Sequence, residues 1–71
     1  MRNYYIEYTI NGVSMARARN ARGEEAAIAQ IQRQFPDATN VRAVSKKHAM
    51  SLSGNTVRHT VQTAIKKEQV Q

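Results

Sequence analysis

Tyr4-Tyr5-Ile6-Glu7-Tyr8-Thr9-Ile10-Asn11-Gly12-Val13-Ser14-Met15 is the stretch that decides the fold. From Asn3 to Ile10 the side chains alternate. Tyr4, Ile6, Tyr8 and Ile10 point one way, and Tyr5, Glu7 and Thr9 the other. Alternation in branched and aromatic residues predicts a half-buried strand, because those side chains suit a pleated surface. Asn11-Gly12 follows, and both residues tolerate the positive φ that a two-residue type I′ hairpin needs. The return strand runs from Val13 to about Arg19. In the simplest register Ile10 faces Val13, Tyr8 faces Met15, Ile6 faces Arg17 and Tyr4 faces Arg19.

That register sets Arg17 and Arg19 on the face that carries the apolar stripe of the first strand. Three outcomes resolve the conflict. The Arg stems lie along the Tyr rings with their heads in water. Or a bulge switches parity and turns Ala16 and Ala18 inward. Or the face of Tyr4 and Tyr8 is the exposed one. The residues alone leave all three open.

Gly23-Glu24-Glu25 opens a helix, with acids in the first turn where they complement the helix dipole and Gly23 as a weak N-cap. Ala27, Ile28, Ile31 and Phe35 form its apolar stripe, covered elsewhere by Gln30, Gln32, Arg33 and Gln34. Pro36 ends it. Asn40 to Lys46 then reads as a third strand, with Val41, Ala43 and Val44 as its apolar residues. The expected class is α+β: a small β-β-α-β domain with a three-stranded, mainly antiparallel sheet and one packed helix, the smallest two-layer arrangement that buries a core. Lys46-Lys47-His48 closes the third strand in this reading, and Ser51 to Asn55 reads as a loop. Asn55 caps a C-terminal helix from about Thr56 to Glu68, with a narrow stripe of Val57, Val61, Ala64 and Ile65. The domain reading is therefore one small unit over residues 1–71, with a ββαβ core at 1–47 and a loop and C-terminal helix at 48–71.

Seventy-one residues hold one domain at most. The chain has no cysteine, which excludes disulfides and thiolate metal sites and fits a reducing compartment. No apolar run approaches the roughly 20 residues of a membrane-spanning helix, and Met1-Arg2-Asn3-Tyr4-Tyr5 does not read as a signal peptide. The expectation is a cytoplasmic protein without a membrane partner. Eleven Lys and Arg stand against five Asp and Glu, a net charge of +6. Between Ala38 and Lys67 there is no acid, yet Arg42, Lys46, Lys47, Arg58, Lys66 and Lys67 lie there; a second acid-free run carries Arg17, Arg19 and Arg22. A field of that sign favours a polyanionic partner.

Catalytic signals are absent. His48 and His59 lack the spacing of a metal pair, the serines sit in no nucleophile elbow, and the three glycines are scattered, so no phosphate loop, cofactor or metal is expected. The expectation is a binding protein, not an enzyme. Its candidate binding residues for nucleic acid or an acidic partner are Arg17, Arg19, Arg22, Arg42, Lys46 and Lys47, with Tyr5 as a candidate stacking residue. Aromatic planes beside guanidinium groups bind single strands by stacking and phosphate attraction. The bland alternative is that the tyrosines serve packing, and that Arg42, Lys46 and Lys47 are a solvated strand end that deters edge pairing.

Over the hairpin, helix and third strand, the size, composition and β-β-α-β pattern resemble small proteins of phages and other mobile elements. Some of those regulate transcription, and some inhibit host defence enzymes, as anti-CRISPR proteins do. This likeness of style transfers no functional residue, and with the charge it leaves two expectations. The first is a small nucleic-acid-binding accessory or regulatory protein. The second is a protein-binding inhibitor or adaptor, for example of a host defence nuclease complex such as CRISPR-Cas, that uses the same charge on an acidic or nucleic-acid-binding protein. The C-terminal stripe also allows a homodimer through that helix.

Overall fold

The computed structural model describes residues 1–52 and residue 54. The elements are β1 (Arg2–Ile10), β2 (Val13–Ala21), α1 (Glu24–Gln34), β3 (Thr39–Val44) and α2 (Lys46–Ser51). The three strands form one antiparallel sheet in the order β2-β1-β3, so β1 is central, and the class is α+β. The C-terminal helix expected after Asn55, with its cap and its stripe, lies outside the described residues.

The hairpin has the simplest register: Ile10 opposite Val13, Tyr8 opposite Met15, Ile6 opposite Arg17 and Tyr4 opposite Arg19. Asn11 and Gly12 both take positive φ, 52° and 77°, as a type I′ turn requires. The face of Tyr4, Ile6, Tyr8 and Met15 packs against α1. Ile6, Tyr8, Met15, Ala21, Ala27 and Ile31 are buried there, with Ile28, Phe35, Val41 and Ala43 half-buried around them. Among the described residues the large side chains that are fully buried are Tyr8, Ile6, Met15 and Ile31. Each apolar one contributes about 1.5–3 kcal/mol, so a core this small leaves little margin for losing any of them.

The conflict over Arg17 and Arg19 resolves with no change of parity in the hairpin, as in the first of the three routes, but the guanidinium heads find protein partners instead of water alone. The Arg17 Nε–H donates to the Tyr8 hydroxyl at 2.8 Å, and its guanidinium carbon lies 5.2 Å from the centre of the Phe35 ring. Tyr8 and Phe35 are themselves stacked, 4.9 Å apart and 13° from parallel. Arg19 donates to the Ala18 carbonyl at 2.8 Å and to the Gln34 side-chain oxygen at the end of α1. Both residues are half-buried. Their stems cover the end of the apolar layer while their polar atoms find partners at its rim.

Two features differ from expectation. The third strand stops at Val44, and Lys46-Lys47-His48 does not close it but opens α2. Ser45 is the cause. Its backbone is extended, and its hydroxyl accepts from the His48 backbone N–H at 3.1 Å, an N-cap bond that redirects the chain into a helix. Ser51 accordingly belongs to the last turn of α2 instead of a loop, its hydroxyl donating to the His48 carbonyl at 2.6 Å. The second feature is a bulge. Glu7 pairs with Arg42 and Thr9 with Thr39, so Tyr8 faces two residues of β3, Asn40 and Val41, and Asn40 sits at φ 52°. Among the described residues no helix is long and apolar enough to cross a membrane.

Candidate nucleic-acid interface

The face of the sheet away from α1 is polar. Along β1 it carries Tyr5, Glu7 and Thr9; the cross-strand partners add Ala18, Ala16 and Ser14 from β2, and Val44 and Arg42 from β3. The short helix α2 packs on β1 and β2 over this face and buries Ala49. Ala16, opposite Glu7, is half-buried and small enough for the helix to lie close.

Glu7 is the one buried charged residue among those described. Its carboxylate is only 9% exposed and accepts from two elements. The His48 Nε2–H of α2 donates to Oε1. The Arg42 Nη2 of β3 lies 3.3 Å from Oε1 and 3.2 Å from Oε2. The hydrogen bond from His48 holds the Glu7 carboxyl below the usual carboxylate range; burial pushes the other way, and the Arg42 hydrogen bond and the two positive neighbours add to the lowering. Beside this cluster a cleft of about 370 Å³ is lined by Glu7, Thr9, Ser14, Asn40, Val41 and Arg42. The Thr9 and Ser14 hydroxyls sit 3.2 Å apart along one wall. The bulge at Asn40 shapes the other.

The sequence candidates divide between two faces. Arg17 and Arg19 lie on the α1 face and are engaged with Tyr8, Phe35 and Gln34. Arg22 is exposed in the turn between β2 and α1. Arg42, Lys46 and Lys47 come together where β3 runs into α2, all three exposed. Tyr5 is half-buried on the same face as Arg42, two places along β1 from Glu7. Among the described residues, no ion pair engages Arg22, Lys46 or Lys47; both ion pairs go to Glu7. No set of three His, Cys, Asp or Glu that could hold a metal ion occurs among the described residues.

Sequence reasoning passed over Glu7. The signal was present, since Glu7 is the single acid in a strand otherwise free of charge after Arg2. What the sequence lacked was the register of β3 and the existence of α2, which together bring Arg42 and His48 to it. No protein-family model, no curated protein and no solved structure matches the chain.

Proposed function

We propose that this is a small non-catalytic nucleic-acid-binding protein whose contact surface is the edge formed by β3 and α2. The observation that carries the reading is the grouping of Arg42, Lys46 and Lys47 at one exposed corner, with a single buried carboxylate as the local counter-charge. Such a corner attracts phosphate without sequence preference. Tyr5 on the same face offers the edge of an aromatic plane for a base. Asn40 and the Thr9 and Ser14 hydroxyls along the cleft supply amide and hydroxyl groups that suit base edges and sugars. Lys46 and Lys47 stand in the first turn of α2, where the helix dipole disfavours cations and no acid is present. Helix stability does not explain their position, which supports the reading of an anionic partner.

Arg17 and Arg19 enter this reading as structural residues first, because their guanidinium groups are already hydrogen-bonded or stacked. Arg22, on a separate turn, extends the positive surface for a longer strand.

The test is binding of labelled single-stranded and duplex oligonucleotides across a salt series. Affinity that falls log-linearly with salt supports the reading. No binding at low salt removes it. A protein recovered from a host lysate that remains bound after nuclease treatment and at high salt would favour an inhibitor or adaptor of another protein instead.

A further inference from the structure

We propose that Glu7, Arg42 and His48 form a proton-operated charge switch that strengthens anion binding at the β3–α2 corner as the pH falls. The inference rests on the reading of that corner as a nucleic-acid surface and adds its regulation. The geometry carries it. One buried carboxylate holds two partners, a guanidinium and an imidazole, and its Oε1 accepts from both. Their holds are unequal. Arg42 stands 3.2–3.3 Å from the two oxygens, long for a charge-assisted bond, and its side chain is 62% exposed. The imidazole is less exposed, at 43%. Arg42 is therefore the partner that leaves with least loss, since water satisfies the donors it withdraws.

The charge count follows. With His48 neutral, Glu7 and Arg42 cancel, and the cluster presents no net charge to a ligand. With His48 protonated, the imidazolium neutralises Glu7 and the cluster carries one positive charge, free to reside on Arg42 at the surface. Imidazole is the side chain whose ordinary titration falls between about pH 5 and 8. Among the described residues the charged groups around the cluster are Glu7 from β1, Arg42 from β3, and Lys46 and Lys47 from α2 itself. From β2 the cross-strand neighbours are Ala16 and Ser14, which do not titrate in this range. Of these side-chain types only imidazole ordinarily changes charge in this range.

The probe is a short oligodeoxythymidylate, whose bases do not titrate between pH 5.5 and 7.5. Its affinity for the full chain is measured at both pH values at fixed ionic strength, with a salt series at each. The wild type is expected to bind about three- to tenfold tighter at pH 5.5, with a log-log salt slope steeper by about 0.7, the increment for one more phosphate contact on a single strand. His48→Gln keeps an amide donor for Glu7 and should lose most of that pH dependence, whereas His59→Gln should retain it. Glu7→Gln frees Arg42 at every pH and should bind at pH 7.5 about as tightly as the wild type does at pH 5.5. The N-terminal amine and His59 remain in His48→Gln, so a pH dependence that survives in this variant overturns the switch. So does wild-type binding that is equal at the two pH values, or Glu7→Gln binding no tighter than wild type at pH 7.5 while its circular dichroism is native. Absence of binding at both pH values overturns the reading of the corner as well.

Discussion

Arg17 does three things with one side chain. It is half-buried on the α1 face, its Nε–H satisfies the Tyr8 hydroxyl, and its guanidinium stacks over Phe35. Tyr8 is fully buried, so its hydroxyl needs a partner, and an unpaired one would cost about 1–3 kcal/mol. Arg17→Lys removes the Nε donor and the planar group together, and should lower stability by about 1 kcal/mol. A Lys variant that melts with the wild type would show that the Tyr8 hydroxyl is satisfied elsewhere. Phe35 is the platform for both neighbours. Being half-buried, it should cost about 2–3 kcal/mol on truncation to Ala in chemical denaturation, less than a fully buried Phe. Glu7 makes the third prediction. Its folded-state pKa is lowered, chiefly by the hydrogen bond from His48. Its contribution to stability is then complete above the unfolded-state value and disappears as the pH falls through the folded one. The stability difference between wild type and Glu7→Gln should therefore shrink as the pH drops below about 4, measured by urea unfolding between pH 2.5 and 6. A difference that stays constant over that range would mean the carboxylate is not held by its charge.

Elements differ in how plainly the chain announces them, and the reasons are physical. The hairpin was legible because two independent signals agree: a period of two over β1, and a turn dipeptide in which both residues take positive φ. Gly12 at φ 77° has open space where a Cβ would be, so a substitution there meets backbone strain and no collision. Gly12→Val should cost on the order of 1–2 kcal/mol by thermal denaturation, and unchanged stability would mean the turn has moved. Helix α1 was legible from its stripe and from Pro36, with Ile31 fully buried, and Ile28 and Phe35 at the edge of the packed face. Helix α2 was not. Six residues with Ala49 as the sole buried side chain carry no readable period. Its helical state comes from the Ser45 cap and from docking on the sheet. Ser45→Ala removes the hydroxyl that accepts from His48, and should raise amide exchange across residues 46–51 by several-fold, equivalent to about 1 kcal/mol, while leaving the hairpin amides unchanged. The bulge was hidden for a related reason. Asn40 looks like any strand-flanking Asn until the pairing of Glu7 with Arg42 and Thr9 with Thr39 forces two residues opposite one.

At the scale of the whole molecule, the net charge of +6 was visible in composition, but its division was not. The two basic runs go to different regions: Arg17 and Arg19 to the α1 face, and Arg42, Lys46 and Lys47 to the β3–α2 corner. This division changes which substitution tests function. Reversing Arg17 would remove the Tyr8 and Phe35 contacts, so a loss of binding there would be confounded by a loss of folding. Lys46 and Lys47 separate the two effects. Both are exposed, neither is ion-paired among the described residues, and both occupy the first turn of α2, where an acid is favoured. Lys46→Glu/Lys47→Glu should therefore leave the fold intact and steady α2 by a few tenths of a kcal/mol per residue, seen as slower amide exchange over that helix. The same change should weaken oligonucleotide binding by at least tenfold at low salt and reduce the log-log salt slope by about 1.4 on single strands, two phosphate contacts' worth. Stability and binding thus move in opposite directions in one variant, which a purely structural role for the corner does not produce. Binding that persists at wild-type strength with an unchanged slope would place the contact surface elsewhere on the molecule, and Arg22 with the α1 face would become the region to test.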